Sequence, residues 1–414
     1  MRTALGIGIV GALALAVMAA RPTVPGSGAS DWPQFRGPGG QGHVSGQGYP
    51  LTWSETENVT WKVPIAGTGW SSPVVQGEQI WLTTATDEAH SLRAICLDRT
   101  TGKTVHDVEV FHKDDPGPIH KKNSHASPTP IVEGDRVYVH FGAHGTACLS
   151  TDGKVVWRNE LLKYDHKHGP GGSPVVYHDL LLLSCDGTDV QFVVALDKQT
   201  GKIRWKKERA GRMAYSTPLV AEIDGQDQLI STGGDRVIAY EPETGREIWS
   251  VKYDGYSLVP RPVVGQGMIF ICTGYDTPWL YGVRLGANNG DVTESHVVWK
   301  LKKGAPLNPS PILVGELLYF VNDKGVLTCV EAASGEQVWQ ERLGGNYSAS
   351  PCLADGRLYF LDEDGKTMVI KPGRTFEQLA QNQLEGRTLA SPAMVDGVIF
   401  LRSDTHLYRI ESRK

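Results

Sequence analysis

The sequence lacks the motifs of several familiar functional classes. No two of its six cysteines are adjacent, and none forms a Cys-x-x-Cys or Cys-x-x-Cys-His motif, so neither a thioredoxin-like redox site nor haem attachment is indicated. The Gly-x-Ser-x-Gly, His-Glu-x-x-His and Walker motifs are also missing. With 41 basic against 46 acidic residues, the net charge of −5 argues against a nucleic-acid partner.

Long hydrophobic runs are absent except for one, from Ala4 to Ala20, which follows the basic residue Arg2. This pattern predicts a signal peptide over residues 1–20, cleaved near Ala19 or Ala20. An uncleaved anchor is the alternative, because the run is just long enough to span a bilayer. No cysteine follows the run, so a lipoprotein anchor is not expected. We expect a flexible leader over residues 21–30 and a periplasmic or secreted protein without a further membrane span.

Glycine and proline are abundant, at 48 and 24 residues, and 11 tryptophans accompany them. One short motif recurs, in which a polar residue, usually Ser or Thr, is followed by proline and a short apolar run. The intervals are roughly 40–55 residues, which is the length of a propeller blade. The prolines of this motif are Pro73, Pro128, Pro174, Pro218, Pro262, Pro311, Pro351 and Pro392.

Each repeat continues with two apolar strands, a Gly-containing turn and a fourth strand that carries tryptophan, as at Trp205, Trp249 and Trp339. The last repeat lacks its fourth strand, but residues 58–63 match the strand around Trp299. The sequence therefore predicts an all-β, eight-bladed propeller of four-stranded antiparallel blades. The N-terminal strand closes it by completing the last blade, and residues 31–414 form one domain.

The cysteines fall at equivalent positions in the repeats. Cys96, Cys148 and Cys329 share one position, and Cys185 and Cys272 share another, each inside an apolar strand. This pattern indicates buried thiols that act as small hydrophobic side chains. Disulfides are the alternative in an exported protein.

The segments Thr-Gly-Lys-Ile-Arg-Trp ending at Trp205, Thr-Gly-Arg-Glu-Ile-Trp ending at Trp249 and Ser-Gly-Glu-Gln-Val-Trp ending at Trp339 resemble the tryptophan-docking repeats of the pyrroloquinoline-quinone (PQQ) propeller superfamily. That group includes quinoprotein alcohol dehydrogenases and BamB, an outer-membrane protein assembly factor. Residues 31–38, Asp-Trp-Pro-Gln-Phe-Arg-Gly-Pro, are similar to the start of secreted bacterial PQQ-like repeat proteins. The resemblance implies the propeller scaffold, but the adjacent cysteine pair of the dehydrogenases is absent.

In a propeller, the loops that lead into the innermost strands surround one mouth of the central channel, where side chains from different blades converge. We expect a ligand or partner to bind there, and no catalytic residue is assigned. The candidate binding residues are Trp70, Lys122, Asn123, His125, Asp165, His168, Arg212, Tyr215, Tyr256, Arg261, Asn308, Tyr347 and Arg387.

Two alternatives concern histidines. His166 and His168 are weak candidates for metal ligands, because a His-x-His spacing beside an aspartate can bind zinc or copper. His125 or His168 could instead take part in general acid–base chemistry.

Taken together, these features predict an exported, monomeric propeller that acts as a noncatalytic binding or scaffold module of the cell envelope. Its partner would be an envelope protein or a small ligand, and no cofactor is firmly implied. One alternative is a quinoprotein oxidoreductase that binds PQQ with calcium at the channel mouth. The other is a hydrolase or lyase that acts on an extracellular polymer.

Overall fold

The computed structural model describes residues 21–22, 31–276, 278–286 and 289–412. The predicted signal peptide and most of the predicted leader lie outside these residues. Within the leader, Arg21–Pro22 forms a short strand that pairs with the strand Leu219–Ile223. Among the described residues, no helix has the length and apolar character needed to cross a membrane.

Eight antiparallel sheets surround a central channel, which confirms the predicted all-β propeller. In each blade the strands pair in the order of the chain, apart from the N-terminal strand of blade 8. The first strand lies innermost, beside the channel, and the later strands follow outward. The inner strands of several adjacent blades are in contact. The last of them, Ala393–Val395, touches the first, Val74–Gln76, and this contact closes the ring.

The first four blades are each a continuous stretch of chain, listed from the inner strand outward. Blade 1 comprises Val74–Gln76, Gln79–Thr86, Ser91–Asp98 and Thr104–His112. Blade 2 comprises Ile131–Glu133, Arg136–His140, Thr146–Ser150 and Val155–Asn159. Blade 3 comprises Val175–Tyr177, Leu180–Asp186, Gln191–Asp197 and Ile203–Glu208. Blade 4 comprises Leu219–Ile223, Gln226–Gly233, Arg236–Tyr240 and Glu247–Lys252.

The remaining four blades follow the same order. Blade 5 comprises Val263–Gly265, Met268–Cys272, Leu280–Arg284 and Val297–Leu301. Blade 6 comprises Ile312–Val314, Leu317–Val321, Val326–Glu331 and Gln337–Arg342. Blade 7 comprises Cys352–Ala354, Arg357–Leu361, Lys366–Ile370 and Gln378–Gln383. Blade 8 comprises Ala393–Val395, Val398–Arg402, His406–Glu411 and Val59–Pro64.

Short elements connect or extend the blades. The strand Gly290–Asp291 runs parallel to the outer strand of blade 4. One helical turn, Thr293–His296, precedes the outer strand of blade 5. Three 3-10 turns lie in loops, at Pro38–Gly40, Asp87–Ala89 and Gly142–His144.

The N-terminal strand completes blade 8, as the sequence predicts. Val59–Pro64 pairs with His406–Glu411 in an antiparallel register that sets Lys62 opposite Tyr408 and Val63 opposite Leu407. Residues from the two ends of the described chain thus share one sheet. This pairing removes the edge that the third strand of blade 8 would otherwise expose.

The hydrophobic core is divided among the interfaces between neighbouring blades. Between blades 2 and 3, for example, Tyr138 and Trp157 of one blade pack in a buried cluster with Leu183 and Phe192 of the next. Each sheet therefore buries its apolar face only by stacking against another sheet, which is why a ring of blades is stable where one blade is not.

Tryptophans of the outer strands bridge these interfaces. The indole Nε1 of Trp157 donates a hydrogen bond to the carbonyl oxygen of Lys198 in the following blade, at 3.0 Å. Gly201 lies beneath the ring with φ of +70°, and a Cβ there would come within 2.4 Å of it. Equivalent bonds run from Trp61 to Thr100, from Trp205 to Pro242, from Trp299 to Ala332 and from Trp339 to Gly373.

All six cysteines are buried and unpaired, which confirms the prediction of structural thiols. Cys148, for example, lies in the third strand of blade 2 between Tyr138 and Trp157 of the flanking strands. Burial raises the pKa of its thiol to about 12, so the side chain remains protonated at neutral pH.

Candidate binding basin

The channel is blocked on one side by residues 31–44, which we call the N-terminal plug. Its backbone forms two hydrogen bonds with the inner strand of blade 1, between Trp32 and Val75, at 2.8 and 2.9 Å. The carbonyl oxygen of Gly42 accepts a further bond from the Leu353 N–H in the inner strand of blade 7, at 2.8 Å. The side chain of Arg36 reaches the carbonyl oxygen of Pro311 at 2.8 Å. The side-chain oxygen Oε1 of Gln41 accepts a hydrogen bond from the backbone N–H of Val264 in blade 5, at 3.0 Å. Because blade 5 lies opposite blade 1 in a ring of eight, the plug crosses the channel. The Asp-Trp-Pro-Gln-Phe-Arg-Gly-Pro motif forms most of it.

Above the plug lies a circle of residues that we call the hydroxyl ring. Each blade contributes one residue to it, the one directly before the proline that leads into the inner strand. In six places a backbone N–H of one blade donates to a hydroxyl oxygen of the next, at 2.9 or 3.0 Å. The ring residues are Ser72, Thr129, Ser173, Thr217, Ser310, Ser350 and Ser391, with Arg261 at the blade 5 position.

The ring corrects one assignment made from the sequence. In blade 2 the ring residue is Thr129, which bonds Ser72 on one side and Ser173 on the other. The equivalent proline is therefore Pro130 and not Pro128. The motif in this repeat contains two prolines, and the hydrogen bonds between blades distinguish them.

The mouth above the ring opens into a cavity of about 740 Å³, which we call the basin. All eight blades contribute to its walls, and Phe35 of the plug reaches its floor. This volume is in the usual range for small-molecule sites. Seven of the predicted binding residues line it: Trp70, Lys122, Asn123, His168, Tyr215, Tyr256 and Asn308.

Three predicted residues are buried outside the basin lining. Arg261 is only 2% exposed, because its side chain turns down to the carbonyl oxygens of Pro218 and Phe35, at 3.1 and 2.9 Å. Tyr347 is buried in the core between blades 6 and 7. His125 is buried in a group of histidines on the blade 2 side.

Two further predicted residues, Arg212 and Asp165, lie outside the basin lining and are engaged by neighbouring groups of the protein itself. Arg212 forms ion pairs with Asp235 and Asp254, and its guanidinium lies 4.5 Å from the centre of the Tyr256 ring. The carboxylate of Asp165 closes its own loop by accepting bonds from the Thr188 hydroxyl and the Lys167 N–H. These bonds lower the pKa of Asp165, as expected for a carboxylate that accepts several hydrogen bonds.

Arg387 also lies outside the lining but contacts it. Its guanidinium is 5.8 Å from the centre of the Trp70 ring, a cation–π contact that supports one wall of the basin. The residue is exposed, so its position is set by the indole rather than by burial.

The charged groups of the basin are mostly satisfied by neighbouring residues. Lys122 pairs with Glu363 at 2.7 Å, and Glu363 also accepts a bond from Ser348. The carboxylate of Asp323 accepts bonds from the Leu307 N–H, at 2.7 Å, and from Asn308. Burial raises the pKa of Asp323, and these two bonds oppose that rise. The basin therefore presents few unpaired charges.

The two predicted metal-ligand candidates belong to different clusters. The His166 ring packs against His144, with ring centres 5.3 Å apart, whereas His168 lies against His120 and Tyr215 in the basin wall. In the described part of the chain, no three or more His, Cys, Asp or Glu side chains are arranged to hold a metal ion.

Behind the basin wall, His125, His144 and His166 form a cluster that we call the buried histidine cluster after its buried ring nitrogens; His125 is buried, and His144 and His166 are half-buried. One ring nitrogen of each, Nδ1 of His125, Nε2 of His144 and Nδ1 of His166, is buried without a hydrogen-bond partner among the described residues. Burial lowers the pKa of His144 to about 3 and that of His166 to about 4. The cluster is therefore neutral at ordinary pH, which weakens the case for His125 as a general acid.

Sequence reasoning missed two parts of the site. Phe35 lies in the motif at residues 31–38, which the sequence ties to a family but not to the channel. The sequence pattern predicts only strand starts at the Ser and Thr residues that form the hydroxyl ring. Their one available signal is the Ser or Thr that precedes proline in most repeats.

The fold and the basin define the class of the protein, an eight-bladed propeller whose channel is sealed on one side and open to a cavity on the other. The chain belongs to the PQQ_2 family, described as outer membrane protein assembly factor BamB, whose model matches residues 43–167, 146–225, 191–293 and 288–411. No curated protein matches the sequence.

Several solved structures share the fold. BamB from Moraxella catarrhalis has a TM-score of 0.58 at 12% identity, covering 85% of this chain and 99% of that one. Quinohemoprotein alcohol dehydrogenase from Comamonas testosteroni has a TM-score of 0.63 at 11% identity, covering 93% and 81%. A europium-containing methanol dehydrogenase has a TM-score of 0.62 at 12% identity, covering 92% and 91%. At these identities the similarity establishes the fold alone.

The basin residues do not fit PQQ with calcium. PQQ carries three carboxylates, yet Arg212 is already paired with two aspartates and Arg261 lies below the floor. Calcium takes six to eight oxygen ligands, usually including carboxylates. The carboxylate of Asp323 in the basin already accepts two N–H donors.

Proposed function

We propose that this protein is an exported, noncatalytic binding module of the cell envelope, and that it binds its ligand or a segment of its partner in the basin. The observation that carries the proposal is the blind cavity of about 740 Å³, which all eight blades line and the N-terminal plug closes from below. A cavity with one opening holds a ligand but does not conduct one.

The polar groups of the basin support binding rather than catalysis. Lys122, Asp323 and Asn308 bond neighbouring protein groups, so they hold the walls in place. Aromatic rings supply much of the remaining surface, from Trp70, Tyr215, Tyr256 and Tyr275. Rigid aromatic surface with fixed polar groups is typical of recognition sites. Membership in the family described as BamB supports a role in the envelope.

Site-specific photo-cross-linking in the native host tests the proposal. A photoreactive residue at Tyr275, which lines the basin and is 55% exposed, should cross-link to a distinct envelope component. The matched position is Val156, 45% exposed on the outer strand of blade 2. We expect Trp70→Ala to abolish the product at Tyr275. Cross-links from Val156 alone, or a Tyr275 product that is indifferent to Trp70→Ala, would contradict basin binding.

Titration of the purified protein with PQQ and calcium, read by absorbance and by dye-linked alcohol oxidation, tests the enzymatic alternative. We expect neither saturable binding nor turnover, because Lys167 is the one lysine or arginine of the described lining without an ion pair, which is too little for a tricarboxylate and its metal. Binding with turnover would overturn the noncatalytic assignment.

A further inference from the structure

The hydroxyl ring gives the basin floor a specific hydrogen-bonding character. Thr129, Ser173, Thr217 and Ser391 line the basin, and each hydroxyl oxygen accepts a backbone N–H from the preceding blade. A hydroxyl has one proton to donate in addition to its acceptor sites. Among the described residues, none of these four donates that proton to a protein group. The floor therefore offers uncharged O–H donors along an arc formed by blades 8, 2, 3 and 4.

Aromatic rings surround these hydroxyls. Phe35 reaches the floor from the plug, half-buried, and Trp70, Tyr215 and Tyr256 stand in the walls. Tyr256 is held between Tyr275, with ring centres 6.1 Å apart, and the guanidinium of Arg212. These contacts fix the Tyr256 ring before a ligand arrives, which reduces the entropy lost on binding.

A ligand for this site must combine oxygen acceptors with apolar faces. A purely apolar ligand would bury the ring hydroxyls without partners, which is unfavourable. A highly charged ligand would find few counterions, because Lys122 and Asp323 are already engaged and Lys167 is the one lysine of the described lining without an ion pair. A sugar ring meets both needs, since its C–H face packs on aromatic rings while its oxygens accept hydrogen bonds around its edge.

Building on the proposed function, we propose that the basin binds the end of a neutral glycan chain. The plug closes the floor, so the terminal sugar units enter while the rest of the chain leaves through the mouth. The terminal sugar stacks near Phe35 and accepts hydrogen bonds from the ring hydroxyls. A ligand of a few sugar units is compatible with a cavity of about 740 Å³.

The test is binding of the full mature protein to an array of neutral oligosaccharides, followed by calorimetry with the best ligand. Arrays of uronic-acid and sulfated oligosaccharides serve as comparison. We expect saturable binding of neutral oligosaccharides. Trp70→Ala should weaken it several-fold, up to about tenfold, because an aromatic contact of this kind contributes about that factor. The matched control is Trp279→Ala, which removes a half-buried tryptophan outside the basin lining and should leave affinity unchanged.

A second pair of variants tests the hydroxyl ring itself. Thr217→Val removes the donor at nearly constant volume and should weaken binding, whereas Thr217→Ser keeps the hydroxyl and should retain it. Thermal unfolding of both variants shows whether the fold is intact. If Thr217→Val does not fold, the Trp70 and Trp279 pair still decides the matter.

The glycan inference and the proposed function fail separately. Absence of neutral glycan binding, preference for the charged arrays, or binding unaffected by Trp70→Ala overturns the glycan inference. If the Tyr275 cross-link to an envelope component persists in that case and is lost in Trp70→Ala, the basin remains a binding site for another partner. If both results are negative, the proposed function fails as well.

Discussion

The guanidinium of Arg261 donates a hydrogen bond from Nη1 to the carbonyl oxygen of Phe35 at 2.9 Å. Its Nε bonds the carbonyl oxygen of Pro218 at 3.1 Å, so one side chain joins the N-terminal plug to blades 4 and 5. Burial lowers the pKa of Arg261 to about 9, and the nearby Arg36 contributes to this shift. The residue that the sequence suggests as a ligand contact therefore supports the floor beneath the ligand.

Arg261→Leu is expected to destabilise the protein by roughly 2–4 kcal/mol, because two buried carbonyls lose their donor and leucine cannot replace it. Removal of a buried charge offsets part of this cost. Denaturant unfolding gives the stability, and limited proteolysis within residues 31–44 reports release of the plug.

The control for this change is Arg246→Leu, which removes an exposed arginine paired with Glu241 on the surface. It should change stability by less than about 1 kcal/mol. Equal effects of the two substitutions would show that Arg261 does not anchor the plug.

A second prediction concerns the close contact of Gly201 with Trp157. Gly201→Ala must accommodate a methyl group whose ideal position lies 2.4 Å from the indole, in addition to an unfavourable positive φ. Gly356 has nearly the same φ, +67°, but open space around its Cβ position. We expect Gly201→Ala to cost about 1–3 kcal/mol more than Gly356→Ala in thermal or denaturant unfolding.

Both glycines have a positive φ, so both substitutions strain the backbone to a similar extent. The difference between the two variants therefore measures the steric overlap with the tryptophan. If the two variants unfold at the same denaturant concentration, the contact between the tryptophan and the turn of the next blade contributes little to stability.

The propeller fold could be predicted from the sequence because the motifs that indicate it are local and recur along the chain. Proline before the inner strand recurs in every blade, and tryptophan recurs in the outer strand of every blade except blades 1 and 7. The unmatched strand around Trp61 predicts the closure. Such signals are set by backbone conformation and burial within one repeat.

The binding site could be predicted from the sequence only in part, because it depends on distances between residues of different blades. Tyr347 and His125 lie in entry loops like Tyr215 and Tyr256, and Arg261 takes the ring position of blade 5, yet all three point into the core or the plug. The direction of each is decided by partners far away in the chain, such as the carbonyl oxygen of Phe35 for Arg261. A repeat pattern contains no information on such partners.

The buried histidine cluster predicts how stability depends on pH. Burial is the largest cause of the low pKa values of His144 and His166, about 3 and 4, and at His144 the neighbouring His166 is the next cause, followed by His125. In the unfolded chain both residues titrate near the ordinary value of 6.5. Between these values the unfolded chain binds more protons than the folded one, so the stabilisation is complete above about pH 6.5 and is lost as pH falls.

The free energy of unfolding should therefore decrease from about pH 6.5 toward about pH 4, as denaturant titrations at a series of pH values would measure. His144→Phe should make this decrease shallower, because it removes one titrating group whose Nε2 has no partner among the described residues. His178→Gln changes an exposed histidine paired with Glu243 and should run parallel to the unmodified protein. If His144→Phe retains the full slope, the acid sensitivity arises from other groups and not from this cluster.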